Sequence, residues 1–154
     1  MTNATKINSL DAFFNPQSIA VIGVSSDPHK VGSVILSNVL QNQMGIRIYP
    51  VNPRLNEVAG LKCYPSIMDI PGKVDLAVIS LPAAFVLDTI KECIKKETQA
   101  AIIISAGFGE TESGKELEIE LKKTITQSKM RVIGPNTLGI LLPGKLNTFF
   151  LPYD

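Results

Sequence analysis

Tryptophan is absent from this chain of 154 residues, histidine occurs once, cysteine twice, and aromatic residues amount to 6%. So few rings argue against a large aromatic recognition face. An excess of either charge is missing too, for the formal net charge is +1. A duplex-binding surface needs clustered Lys and Arg to displace counterions, and no cluster occurs, so nucleic acid is not an expected partner. Cys63 and Cys93 form no CxxC pair and have no neighbouring histidine. Neither a zinc site nor a redox dithiol follows from that spacing, and both thiols are expected to be small buried hydrophobes in a reducing compartment.

Long apolar runs are lacking as well. No stretch approaches the roughly 18 apolar residues of a membrane span, and Met1–Ala12 has no apolar run after Lys6 to make a signal peptide. The expected compartment is the cytoplasm, with no membrane partner. The composition is otherwise that of a globular protein, 45% hydrophobic and 19% charged. A chain of this length buries roughly two-thirds of its unfolded surface and needs no disulfide or metal staple. Residues 1–154 are expected to form a single domain.

Five short apolar runs punctuate the chain: Ser18–Val24, Ile46–Val51, Val74–Leu81, Ala100–Ser105 and Lys129–Ile133. Each is bounded by turn residues, the pattern of strands buried on both faces. Helical spacing fills the intervals. Val31, Val34, Ile35, Asn38 and Val39 predict a helix over Val31–Gln43. Val86, Leu87, Ile90, Cys93 and Ile94 share one face of a second helix, with Lys91, Lys95 and Lys96 opposite. Leu117, Leu121 and Ile125 mark a third over Glu112–Ser128. Asp11–Phe14 suits a short helical turn. Between Arg54 and Lys73 a short strand near Lys62–Tyr64 and a helical turn near Ser66–Asp69 are expected among the prolines. The tail after Thr137 is apolar but broken by Pro143-Gly144 and Pro152. The alternation predicts an α/β fold, a Rossmann-like, doubly wound parallel sheet of about five strands with helices on both faces. Such sheets bind ligands beyond the C-terminal ends of their strands.

The residues ending those strands are therefore the candidates. After the first strand stands Gly23-Val-Ser-Ser-Asp-Pro-His-Lys-Val-Gly32. The Ser25 and Ser26 hydroxyls, the Lys30 ammonium and the opening of the following helix all suit an anion, while Gly23 and Gly32 allow close backbone approach. The spacing is neither GxGxxG nor a P-loop. After the second strand stands Asn52-Pro53-Arg54, without the acidic residue that an NAD site places there. Arg54 either meets a ribose phosphate, as in NADP or coenzyme A, or is an ordinary surface arginine. Leu81-Pro82-Ala83 offers a rigid apolar edge. In Ser105-Ala106-Gly107-Phe-Gly-Glu110 the glycines free the backbone, and Glu110 is expected to cap the helix over Glu112–Ser128. Asn136, after Gly134-Pro135, is suited to fixing its own turn. His29 has only Asp27 near it and is expected to be an exposed loop residue. No catalytic residue and no metal-ligand spacing can be defended.

With these loops in hand, the chain resembles the N-terminal CoA-binding domain of the NDP-forming acyl-CoA synthetases, the family of ADP-forming acetate–CoA ligase and the succinyl-CoA synthetase α subunit. The resemblance rests on Phe14-x-Pro-x-Ser-Ile-Ala-Val-Ile-Gly-Val-Ser25, Lys30-x-Gly32, Tyr49-Pro-Val-Asn-Pro53, Gly60-x-x-Cys-Tyr-Pro65, Val74-Asp-Leu-Ala-Val-Ile-x-Leu-Pro82, Ser105-Ala-Gly-Phe-Gly-Glu110 and Gly134-Pro-Asn-x-x-Gly139. It implies coenzyme A (or acyl-CoA) as the ligand. Its phosphates would lie at Ser25, Ser26, Lys30 and Gly32, its adenosine at Asn52, Pro53 and Arg54, and its pantetheine along Leu81 and Pro82. The thiol end would lie near the Ser105–Gly107 turn and Asn136. The family reaction also uses a phosphohistidine domain and an ATP-grasp domain, so the resemblance implies those further synthetase domains or a subunit carrying them as partners. His29 matches no phosphohistidine position. Two other functions share the fold: a stand-alone CoA-binding regulatory domain, including one attached to a protein acetyltransferase, and an NADP-dependent oxidoreductase domain.

Overall fold

The computed structural model describes residues 10–41 and 45–151. In chain order the elements are α1 (Asp11–Phe14), β1 (Ser18–Ile22), α2 (Val31–Gln41), β2 (Arg47–Val51), β3 (Glu57–Val58), β4 (Leu61–Lys62), a 3-10 turn (Ile67–Asp69), β5 (Leu76–Ile79), α3 (Ala83–Lys95), β6 (Ala100–Ile103), α4 (Lys115–Thr126), β7 (Arg131–Ile133), β8 (Leu141–Leu142) and β9 (Leu146–Asn147).

Every residue of β1, β5 and β6 is buried, as the unbroken apolar runs require of strands covered on both faces. These strands join β2 and β7 in one parallel five-stranded sheet of order β2-β1-β5-β6-β7. The α/β, Rossmann-like expectation therefore holds, in the variant of doubly wound order that places β1 between β2 and the central β5. Pro50 sits in β2, an edge strand, where the missing N–H disturbs no inner ladder. The chain moves outward from β1 to β2, then crosses back to β5, so the winding reverses between β1 and β5.

Alternation along the strands divides the core in two. Ala20, Ile22, Ala77, Ile79, Ala101 and Ile103 face α3, α4 and the 3-10 turn. Ile19, Val21, Leu76, Val78 and Ile102 face α1, α2 and Leu146 of β9. Phe13 and Phe108, both fully buried, are the largest side chains of the two layers.

The element ends differ from the sequence expectation in consistent ways. β1 stops at Ile22, not Val24, because Gly23 turns the chain at φ +100°. β2 and β7 begin later than their apolar runs, while β5 and β6 stop earlier, and apolar residues beyond the paired ones, such as Ile46, Val74 and Ile104, still pack against the core. α4 begins at Lys115 because Thr111–Gly114 forms a turn closed by Thr111. The last two positions expected in the helix after Val31, and Pro152, lie outside the described residues. Lys96, placed on an outward face, instead reaches its ammonium to the Ile70 carbonyl. The apolar tail forms a hairpin, β8 with β9, around Pro143-Gly144. The irregular stretch after Arg54 contains a second hairpin, β3 with β4, and Tyr64 bridges to Val51. Ser66 caps the 3-10 turn by accepting from Met68 N at 2.9 Å. Among the described residues no helix is long and apolar enough to cross a membrane.

The α4 stripe makes a direct stability test. Leu121 is fully buried, whereas Ile119 is 68% exposed. Leu121→Ala should cost about 2–5 kcal/mol in chemical denaturation, and Ile119→Ala should stay within about 0.5 kcal/mol of the parent. Equal losses would show that α4 packs otherwise.

Candidate functional site

The site begins with two glycines that no other residue can replace. A Cβ on Gly23 would collide with the Ser80 carbonyl, and one on Gly32 with the Gly23 carbonyl. The first contact brings the end of β1 against the end of β5. The second seats the first turn of α2 on the turn after β1. Val31 and Gly32 thus bring the N–H groups of an opening helix to the switch point, where the helix dipole favours an anion. The loop between is internally braced. Ser33 Oγ donates to the Ser25 carbonyl at 2.8 Å and accepts from Ser25 N at 3.2 Å. Ser25 Oγ accepts from Asp27 N at 3.1 Å, and Asp27 accepts from His29 N at 2.9 Å.

Side chains stitch the other strand ends to this loop. Asn52 donates from Nδ2 to the Val24 carbonyl at 2.6 Å and accepts from Arg54 N at 2.7 Å, holding the end of β2 against the first loop. Ser105, nearly buried, accepts from Leu81 N at 3.1 Å through Oγ and from Asn136 N at 2.9 Å through its carbonyl. One residue thereby ties the ends of β5, β6 and β7. Asn136 adopts a left-handed conformation, φ 56°, which asparagine tolerates better than most residues.

Glu110 does not cap α4. Its carboxylate turns back to accept from Gly107 N and from Phe108 N, the second at 3.1 Å. Glu118, on α4 itself, accepts from Gly109 N at 2.6 Å and pairs with Lys122 at 2.6 Å. The nearest amides are those of the glycine turn, because Thr111–Gly114 separates Glu110 from the helix start. The Gly107 amide is the main cause holding the Glu110 carboxyl below the usual carboxylate range, and the Lys122 side chain does the same for Glu118.

Two adjoining cavities open beyond the strand ends. The first, of about 650 Å³, is lined by Gly23, Ser25, Lys30 and Gly32 from the first loop and by Asn52. Leu81 and Pro82, Ser105 and Ala106, and Asn136 form its other walls. The second, of about 520 Å³, is lined by Pro53 and Arg54, and shares Gly23, Asn52, Leu81 and Pro82 with the first. Two expected residues stand apart. Ser26 lines a third cavity, together with Ser25, His29 and residues of α2, and neither of the adjoining two. Gly107 lines neither adjoining cavity, and its N–H is taken by Glu110. Sequence reasoning missed Ser80, Thr137, Leu138 and Phe150 in the first cavity. The first three follow directly from strand-end positions already singled out. Phe150 has no local signal, for it arrives through the β8–β9 hairpin.

Cys93 is buried, and desolvation pushes its thiol up to about 12; burial raises Cys63 too, so burial disfavours the thiolate at both. Among the described residues no group of three His, Cys, Asp or Glu could hold a metal ion. The arrangement is suited to binding an elongated anionic ligand.

A parallel sheet with a glycine-bearing, helix-opening turn at its switch point defines a Rossmann-like domain of the nucleotide-binding kind. More particularly, residues 17–143 match the CoA binding domain family, and the chain belongs to it. It is 49% identical over 144 residues to subunit alpha of acetate–CoA ligase (ADP-forming) II from Pyrococcus furiosus, covering 92% of this chain and 31% of that one. It is 39% identical over 128 residues to 4-hydroxybutyrate–CoA ligase (ADP-forming) from Nitrosopumilus maritimus, covering 82% of this chain and 18% of that one. In structure it superposes on the dinucleotide forming acetyl-coenzyme A synthetase 1 of Ca. Korarchaeum cryptofilum, solved with phosphate and ADP. That match has a TM-score of 0.87 and 46% identity, and covers 94% of this chain and 31% of that one. The chain thus spans about a third or less of these relatives. The CoA binding domain family and these relatives do not favour the oxidoreductase and regulatory alternatives.

The Glu110 clamp has a defined pH signature. A carboxyl whose folded pKa is depressed orders its turn above its ordinary pKa of about 4.3 and releases it as pH falls through the lower folded value. The Gly107 and Phe108 amide resonances should therefore titrate with a midpoint below about 4.3, and lose that titration in Glu110→Gln. A midpoint at or above the ordinary value would show that the clamp does not form.

Proposed function

We propose that this chain binds coenzyme A or acyl-CoA across the C-terminal ends of its strands, as the CoA-binding part of an ADP-forming acyl-CoA synthetase. The observation that carries this reading is the pair of adjoining cavities at the switch point, with Gly32 and Lys30 in one and Arg54 in the other. An elongated ligand with phosphates near its middle and at one end needs cationic or N–H donors in two places, and the two cavities supply them. The wall from Leu81 and Pro82 to Ser105 and Ala106 suits an uncharged pantetheine arm. Residues 1–154 act as one domain of a longer synthetase.

The chemistry that supports the assignment is binding and orientation. The ligase would convert acyl-CoA, ADP and phosphate to a carboxylic acid, CoA and ATP, or the reverse. Phosphoryl transfer is assigned to further domains or a partner subunit, in keeping with the third or less of the relatives' length that this chain spans. The relatives carry names that specify acetate and 4-hydroxybutyrate. That two different acids are served by similar domains supports a role centred on CoA, with the choice of acid made elsewhere.

Calorimetric titration with CoA, acetyl-CoA, NAD and NADP at one salt concentration tests the reading. Saturable CoA binding with little NAD or NADP binding is expected, and preference for either dinucleotide would overturn it. Lys30→Ala should weaken CoA and dephospho-CoA equally, by roughly tenfold or more, as for loss of a charge-assisted hydrogen bond. Arg54→Ala should weaken CoA more than dephospho-CoA. Unchanged affinity in Lys30→Ala would remove the first loop from the site.

A further inference from the structure

Asn38 lies on the apolar face of α2, among Ile35, Leu36 and Val39, and is only 2% exposed. A carboxamide buried there costs free energy unless its hydrogen bonds are made. Its Nδ2 donates to the carbonyls of Phe149 and Leu151, both at 2.9 Å, across 111 and 113 residues of chain. The segment it holds is seated from the other side as well. Thr148 Oγ accepts from Ile140 N at 2.8 Å, and Thr148 N donates to the Ile140 carbonyl at 2.9 Å. A Cβ on Gly139 would collide with the Thr148 carbonyl. Phe150 is thus the residue between two carbonyls fixed by a single amide, and it lines the cavity at the switch point. Leu81, which lines the same cavity, packs with the core layer of α3 and α4, whereas Ile104 and Phe150 belong to the layer of α1 and α2. The cavity is therefore an apolar slot with one side from each face of the sheet, and one of those sides is completed by the tail.

We propose that Asn38 is a positioning residue for coenzyme binding, strapping the tail so that Phe150 forms the second wall of the slot that takes the uncharged arm of the ligand. The inference rests on the CoA reading and deepens it. Asn38 lines neither of the two adjoining cavities, so it acts on the ligand through Phe150. A partly buried ring near the end of a tail is free to swing unless its backbone is held. The strap removes that freedom before the ligand arrives and so lowers the ordering cost of binding. A leucine at position 38 would fill a similar volume on α2 but would leave the Phe149 and Leu151 carbonyls without this donor. Packing of the helix alone therefore does not account for an amide at this place.

The test compares CoA with adenosine 3′,5′-bisphosphate, which lacks the arm. In calorimetry Phe150→Ala should weaken CoA about tenfold, the scale of losing a large apolar contact, and leave the bisphosphate unchanged. Asn38→Leu should give the same selective loss, and the double variant should lose no more than either alone. The absence of tryptophan supplies a second readout, because Phe150→Trp introduces the only indole in the protein. CoA and pantetheine should change its emission saturably, and the bisphosphate should not. Adding Asn38→Leu should shift the emission of the free protein to the red as the indole leaves the wall. Additive losses, or an equal loss of the bisphosphate in Asn38→Leu, would show that Asn38 serves the fold alone and overturn the proposal. Full CoA affinity in Phe150→Ala would overturn it and leave the CoA reading intact. Should Asn38→Leu fail to fold, the Phe150→Trp titration decides, and an emission that CoA leaves unchanged overturns the proposal. An unmodified chain that binds no CoA would overturn both readings.

Discussion

The closeness of backbone to backbone at the end of β1 governs most of what lies around it. The Ser80 carbonyl occupies the place where Gly23 would carry a side chain, and the Gly23 carbonyl does the same at Gly32. These contacts press β5 against β1 just past their last paired residues and seat α2 on the turn between. Any side chain at either position would force the strand ends or the helix apart. The opening turn of α2 would then lose its place at the switch point. A helix opening held that close is what makes a neutral-looking loop attractive to an anion.

Around that contact the strand ends are joined by polar side chains. Asn52 holds β2 to the first loop, and Ser105 holds β5, β6 and β7 together. Each uses a side-chain oxygen or amide to satisfy backbone groups that pairing no longer satisfies once the strands end. The cavity walls are therefore set before any ligand arrives, which lowers the ordering cost of binding. Glu110 and Glu118 extend the same device to the glycine turn, where carboxylates occupy successive backbone N–H groups. The membership of the chain in the CoA binding domain family fits this preformed, anion-directed edge.

Much of this could be read from residue order. Parallel strands buried on both faces must be continuously apolar, so Ser18–Ile22, Leu76–Ile79 and Ala100–Ile103 announce themselves, and Pro50 marks β2 as an edge. Gly23, Gly32, Asn52, Ser105 and Asn136 were legible because turn residues at strand ends have few other roles. What misled was treating neighbours in sequence as neighbours in space. Ser26 adjoins Ser25, yet of the two only Ser25 lines the cavity at the switch point, and Glu110 precedes a helix yet binds the turn before it.

The sequence by itself determined the alternation of strands and helices, the edges where turns fall, and the residue types gathered at one end of the sheet, because these depend on local period and backbone stereochemistry. Only the tertiary structure decided which strand ends become neighbours, that two cavities share Gly23, Asn52, Leu81 and Pro82, and that Phe150 closes a wall. Those relations join residues far apart in the chain. They follow from how two apolar layers pack on a sheet whose winding reverses between β1 and β5, and no short-range pattern records that packing.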